Sequence, residues 1–269
     1  LNSINIQSKY FTWKTTAIFS YAKDIITAYK RPTSLPNFVS DNSIIRNATL
    51  YNPIVGRSLF GIYSYPWAGL DPQTGQARGY LDGEPSTQYA QITQQLAEDP
   101  ENRLIYHGNT LAPYFGALRN TVSYKNFDLS FNITYRFGYY FKRNSIMYSS
   151  LYSNYYAHGD YYRRWQKPGD ELTTTVPAMV YPGVNVADQY YLNSEVLVSK
   201  GDHIRLQDIN LSYNLDSKIA KKFHLQNLRL FAYVNNVAMI WKANKENLDP
   251  DFPTSRPIRT FTLGLNCNF

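Results

Sequence analysis

Residues 127–141, FDLSFNITYRFGYYF, alternate without a break. Phe127, Leu129, Phe131, Ile133, Tyr135, Phe137, Tyr139 and Phe141 fall on one face. Asp128, Ser130, Asn132, Thr134, Arg136, Gly138 and Tyr140 fall on the other. Strand side chains point alternately to the two faces of a sheet, so this pattern predicts one strand far longer than the usual length of about five or six residues. The pattern recurs in 225–240, where Leu228, Leu230, Ala232 and Val234 oppose Arg229, Phe231, Tyr233 and Asn235. It recurs in 11–24, where Phe11, Trp13, Ala17, Phe19 and Tyr21 oppose Thr12, Lys14, Thr16, Ser20 and Asp24. It recurs again in 114–125 (Leu118, Val122, Tyr124) and in 203–215 (Ile209, Leu211, Tyr213, Leu215). Ile204 and Leu206 fall out of phase, as a β-bulge or a strand rising beyond a membrane would require. A short strand over 2–8 and a final one over 258–269 bring the expected number to about seven.

The connections sharpen the picture. Those near 8–9 and 125–126 are very short, and 216–224 (DSKIAKKFH) is moderate, with room for one helical turn. The others, about 25–113, 142–202 and 241–257, are long and hold most of the Pro and Gly. Long structureless loops argue against a compact soluble domain. Short turns at one end and long loops at the other are the asymmetry of an outer-membrane barrel, with the apolar, aromatic-ended face toward lipid and the polar face toward a wet lumen. A soluble β-sandwich also alternates and is the competing architecture. Seven strands cannot close such a barrel, and open edges in lipid cost several kcal/mol per unpaired backbone group. The expectation is therefore the C-terminal part of a larger barrel.

Composition agrees with large amphipathic sheets. The chain of 269 residues carries 25 Tyr, 14 Phe and 4 Trp, with only 17% charged residues. Mean hydropathy is −0.43, and no run approaches the roughly 18 apolar residues of a membrane helix. The single cysteine, Cys267, excludes an internal disulfide. Net charge is +7, but Lys and Arg are scattered rather than clustered, which argues against nucleic acid as partner. The chain begins at Leu1 without a methionine or signal peptide, so its start looks internal.

Several ordered motifs resemble the SusC/RagA-type TonB-dependent outer-membrane transporters. They are YSYPWAGLDPQTGQARGYLDG (63–83), GNTLAPYFGALRNTVSYKNFDLSFNITYRFG (108–138), RRWQKPGDELTTTVP (163–177), KGDHIRLQDINLSYNL (200–215), LRLFAYVNNVAMIWK (228–242) with Asp-Pro at 249–250, and RTFTLGLNCNF (259–269). The resemblance covers nearly the whole chain. It implies an all-β fold, the last seven or so antiparallel strands of a 22-stranded transmembrane barrel with long extracellular loops. Residues 1–269 would then form one C-terminal segment, with plug and N-terminal strands outside this chain. It further implies the Gram-negative outer membrane, a SusD-like surface lipoprotein, energy from TonB, ExbB and ExbD through the absent N-terminal part, and an oligosaccharide or peptide ligand. A non-transporting barrel subunit that scaffolds surface partners and a soluble carbohydrate-binding β-domain are the alternatives.

Candidate contact residues follow. The aromatic loop around Tyr155, Tyr156, Tyr161, Tyr162, Arg163, Arg164 and Trp165 suits packing within the loop, contact with a lid protein or contact with ligand. The two arginines beside Trp165 could grip an acidic group or stack on the indole, with a loop-fixing role the simpler expectation. Arg229, Tyr233 and Asn235 are expected to face the lumen or the plug. In the closing strand Phe261, Leu263, Leu265 and Phe269 should face lipid, and the terminal Phe resembles the family's assembly signal. The four histidines show no metal spacing, Asp249 and Asp251 make at most a weak cation site, and no catalytic motif is present. No enzyme, cofactor or metal is expected.

Overall fold

The computed structural model describes residues 1–30, 54–215 and 225–268. Within them the strands, in chain order, are β1 (Asn2–Gln7), β2 (Phe11–Tyr21), β3 (Gly61–Ser64), β4 (Gly79–Leu81), β5 (Glu84–Ser86) and β6 (Ile105–Asn109). There follow β7 (Tyr114–Tyr124), β8 (Phe127–Phe137), β9 (Tyr140–Lys142), β10 (Val198–Lys200), β11 (His203–Asn214), β12 (Asn227–Lys242) and β13 (Thr260–Asn268). The helices are α1 (Tyr89–Glu98), α2 (Pro100–Arg103), α3 (Tyr148–Asn154) and α4 (Asn185–Leu192). The chain divides into two compact units. One comprises residues 1–22, 112–139 and the chain from Gly201 onward; the other comprises 23–111 and 140–200.

The first unit is a seven-stranded antiparallel meander in the order β1-β2-β7-β8-β11-β12-β13. The seven expected strands are therefore present and paired in sequence order. Their tight turns match the sequence: Ser8 N–H donates to Phe11 O at 2.8 Å, and Lys125 takes the left-handed φ of 51° that a two-residue hairpin turn demands. The moderate connection at 216–224 lies outside the described residues. Register places Leu118, Ile133 and Leu206 side by side on one face, and Arg119, Asn132, Asp208 and Asn235 side by side on the other. The pairing of β11 slips on both sides between Leu206 and Asp208, so Gln207 is the bulged residue. This settles the phase break in favour of a bulge. One inserted residue lets Ile204 and Leu206 join the face of Ile209, Leu211 and Tyr213, while His203 and Arg205 join that of Asp208 and Ser212.

One strand departs from its pattern. The alternation over 127–141 predicts a single strand, yet β8 stops at Phe137. Gly138 has a φ of 83°, which turns the backbone out of the ladder, and its N–H donates to Asp202 Oδ1 at 2.6 Å. Tyr139 and Phe141 are buried rather than set on the apolar face. Period-two alternation persisted across this break because Tyr140–Lys142 is itself a strand, paired with Val198–Lys200.

The apolar face of the meander is bare. Phe19 is 69% exposed, Phe127 50% and Leu263 84%. Among the described residues of this unit no second sheet lies over it, so the sandwich alternative lacks its partner layer. Two glycines let aromatic rings cross to neighbouring strands. Tyr135 passes over Gly116 and donates its hydroxyl to Ile18 O at 3.1 Å, while Phe231 lies over Gly264.

The second unit corrects the expectation of structureless loops. Its core gathers Ile54, Tyr63, Tyr65, Tyr89, Ile92, Leu96, Leu104 and Tyr190. Helix α1 buries Tyr89, Ile92 and Leu96, spaced for one helical face. Tyrosines, which made the composition unusual, supply much of the buried surface of this unit, and several combine an apolar body with a hydroxyl that reaches a backbone carbonyl. Tyr89 donates to Ala77 O at 2.7 Å, Tyr148 to Pro177 O at 2.7 Å and Tyr190 to Pro66 O at 2.6 Å. Tyr65 and Tyr190 stack at 5.2 Å. Burial pushes the Tyr65 and Tyr89 phenols up to about 12.

A Cβ added to Gly116 would sit 2.0 Å from Ile18 O and 2.4 Å from Tyr135 Oη. Gly116→Val should therefore cost about 1–3 kcal/mol by overpacking. Urea unfolding in lipid micelles reads this directly, and wild-type stability in the variant would contradict the ring-over-glycine packing.

Candidate functional site

The polar face of the meander carries a row of interlocked side chains. Arg119 Nη2 and Asn132 Nδ2 both donate to Asp208 Oδ2 at 3.1 Å. Gln207 Nε2 donates to Asn235 Oδ1 at 3.0 Å, and Arg229 Nη2 donates to Ser212 Oγ at 2.8 Å. Ser123 Oγ and Asn214 Nδ2 donate to the two oxygens of Asp128 at 2.5 and 3.1 Å. Asp208 Oδ1, Asn132 Oδ1 and Asn210 Oδ1 are buried acceptors that no described residue satisfies.

Beyond the bulge, the same face ends in a charged cluster that ties the 243–259 connection to the sheet. Arg205, held by β11, donates through Nη2 to Asp249 Oδ1 at 2.6 Å. Asp251 Oδ1 accepts from Arg136 Nη1 at 3.0 Å and from Tyr139 Oη at 3.2 Å, and its Oδ2 lies 3.2 Å from His203 Nε2. Burial would push the Asp251 carboxyl up, but the hydrogen bond and charge of His203 and the charges of Arg136 and Arg205 outweigh it and hold the group below the usual carboxylate range. His203, Arg205 and Arg136 are not among the contact residues expected from the sequence. The available signal was their alternation with Ile204, Leu206 and Tyr135, once the bulge is allowed for. Asp249 and Asp251 are taken up by these cations, which leaves the pair poorly suited to hold a metal.

In the second unit the expected contact residues separate into two groups. Asp160 is buried, and its carboxylate accepts from Arg143 Nη1 at 2.9 Å, Ser145 Oγ at 2.6 Å and Arg163 Nη2 at 2.5 Å. Burial again raises the group, and these hydrogen bonds and the two guanidinium charges more than offset it, so its pKa lies below the ordinary value. Arg163 is thus a loop-fixing residue. Arg164 stacks over the Tyr161 ring at 4.0 Å rather than over the indole. Trp165 is buried and donates Nε1–H to Glu171 Oε2 at 3.0 Å. Tyr155, Tyr156 and Tyr162 remain at 89%, 59% and 84% exposure, so three of the seven expected contact residues present free aromatic surface. Arg229, Tyr233 and Asn235 share the polar face of β12. Phe261, Leu263 and Leu265 are exposed along β13; Phe269 lies outside the described residues.

A wall of long antiparallel strands with one bare apolar face, one hydrogen-bonded polar face and an aromatic loop unit defines a transmembrane β-barrel segment. No protein-family model matches the chain. Over its full length it is 23% identical to TonB-dependent receptor P3 of Formosa agariphila and covers 28% of that protein. Its fold matches the RagAB peptide transporter with a TM-score of 0.69 at 17% identity, covering all of this chain and 28% of the other. The RagAB peptide importer in the open-open state gives 0.67 at 17% identity with the same coverage. The chain thus spans just over a quarter of the length of these relatives. The chain is thus similar in sequence to a TonB-dependent receptor and shares its fold with a segment of the RagAB transporter structures, in line with the resemblance that the ordered motifs carry.

Two outcomes follow from the second unit. Asp160→Ala removes the buried carboxylate that Arg143, Ser145 and Arg163 share, and breaking such a buried pair costs about 3–5 kcal/mol. Limited proteolysis between residues 143 and 165 should accelerate, whereas an unchanged cleavage pattern would remove Asp160 from its central role. Burial, helped by the Lys142 charge, lowers His107 from 6.5 to about 4, with its Nε2 2.7 Å from Ser64 Oγ. A depressed folded pKa gives stability that is present above about 6.5 and lost as pH falls toward about 4. Amide exchange around Ser64 and His107 should rise through that window, and a flat profile would contradict the buried neutral imidazole.

Proposed function

We propose that residues 1–269 are the C-terminal barrel segment of a TonB-dependent outer-membrane importer of glycans or peptides. The observation that carries this reading is the seven-strand meander with a bare apolar face, whose two edges, β1 and β13, are open. Open edges in lipid leave backbone groups unpaired at several kcal/mol each, so the sheet demands further strands to close a barrel. In that barrel Arg229, Tyr233 and Asn235 face the lumen or plug, and the buried acceptors beside them on Asn132, Asp208 and Asn210 support a polar partner there. Phe261, Leu263, Leu265 and Phe269 face lipid along the closing strand.

Tyr155, Tyr156 and Tyr162 meet a SusD-like surface lipoprotein, since exposed tyrosines are frequent interface anchors. Energy comes from the proton-motive force through TonB, ExbB and ExbD, which engage parts of the receptor outside this chain. The peptide cargo named for RagAB supports peptides as one substrate class.

Cells carrying the complete receptor should lose uptake of a labelled peptide or oligosaccharide when a protonophore collapses the gradient. Uptake that persists would overturn an energised importer. Replacing Tyr155, Tyr156 and Tyr162 together by Ala should lower recovery of the lipoprotein in pull-down by tenfold or more while the barrel still folds. Full recovery would remove these tyrosines from the lid interface.

A further inference from the structure

We infer that the polar face of the meander carries a seat for the terminal carboxylate of a short peptide, centred on Arg136; this deepens, and rests on, the import reading above. A cavity of about 650 Å³ opens on this face, lined among others by Ile18, Phe115, Arg136, Arg205, Asp251 and Phe252. Arg136 stands at the end of β8, next to its last residue. A guanidinium carries five N–H donors in a planar fork. Among the described residues Arg136 donates through Nη1 alone, to Asp251 Oδ1 at 3.0 Å, and the side chain is 54% exposed. The remaining donors face solvent with the geometry that binds a carboxylate through two parallel hydrogen bonds.

The acids beside Arg136 have other partners. Asp249 is held by Arg205 at 2.6 Å. Asp251 is already 3.2 Å from His203 Nε2 and 3.7 Å from Arg205 Nη2, and it accepts from Tyr139 Oη at 3.2 Å. Arg136 is the outermost cation of this cluster, its side chain 54% exposed against 5% for Arg205. Its remaining N–H donors offer the cavity a fork for an anion.

The walls select which anion. Ile18 comes from the polar-face positions of β2, and Phe115 and Phe252 are 40% and 43% exposed. The Phe252 ring is in turn fixed under the Arg205 guanidinium at 6.0 Å. Apolar surface directly beside a carboxylate fork fits a C-terminal amino acid with an apolar side chain. A neutral glycan offers no charge, and an oligouronate offers carboxylates without apolar groups.

The test uses the complete receptor with its lipoprotein, purified in detergent, and calorimetric binding of Ala-Ala-Leu-Leu with a free C-terminus against its C-terminal amide. Wild type should bind the acid about tenfold or more tightly than the amide, as one charge-assisted hydrogen-bonded pair provides. Arg136→Gln should abolish that preference through loss of acid affinity, with the amide unmoved, and Arg136→Lys should recover part of it. Equal binding of acid and amide by wild type, or an equal fall for both in Arg136→Gln, overturns the seat and leaves the import reading standing. A tetrauronate that binds as tightly as the acid peptide and with the same dependence on Arg136 overturns the choice of peptide. Absence of binding by every probe overturns the import reading and the seat together.

Discussion

A strand that crosses lipid has to place every backbone N–H and C=O in a ladder, because the hydrocarbon offers no other partner. The seven-stranded meander meets that demand between its neighbours from β1 to β13 with continuous antiparallel pairing. The irregularities in its registers preserve the two faces. Around Gln207 the pairing slips by one residue against both flanking strands. Without that slip His203 and Arg205 would point into lipid, where a charged group costs several kcal/mol. The bulge therefore keeps the ladder and the separation of faces compatible at the point where the charged cluster begins.

The two faces then have different tasks. Toward lipid the sheet shows aromatic and aliphatic side chains, with Tyr135 bridging over Gly116 to the backbone of the strand beyond. On the opposite face cations and amides donate to acceptors on neighbouring strands, as Arg119 and Asn132 do to Asp208. Such pairs are exposed to water in part and add little stability singly. Their value is positional, because they fix Arg136, Arg205 and the Asp249–Asp251 segment in one arrangement. The proposed carboxylate seat depends on that fixed arrangement.

The second unit solves a different problem. Long connections outside a membrane need their own core if they are to present surface reproducibly, and here tyrosine supplies it. A tyrosine buries a large ring and still satisfies its hydroxyl on a loop carbonyl, which suits a core made of irregular backbone rich in free C=O groups. Asp160 plays the matching polar role by collecting Arg143, Ser145 and Arg163. The consequence is a division among aromatic residues that look alike in sequence: Trp165 and Tyr190 are core, whereas Tyr155 and Tyr162 are surface.

Sequence alone determined the strands, because a side-chain period of two is a local property that any sheet with unlike faces imposes on its residues. It determined the short turns and the phase break in β11, and the order of its motifs was enough to point to the family. It misjudged what is non-local. The run 127–141 reads as one strand, since Gly138 turns the backbone without disturbing the alternation. The segments 25–113 and 142–202 read as structureless, since a core assembled from single tyrosines far apart in the chain has no period. Tertiary structure alone decided that Arg163 meets Asp160, that Arg205 meets Asp249, and that Arg136 meets Asp251 through Nη1 while more than half of its side chain stays exposed. Those are facts about which charges meet in space, and the chain brings them together only by folding.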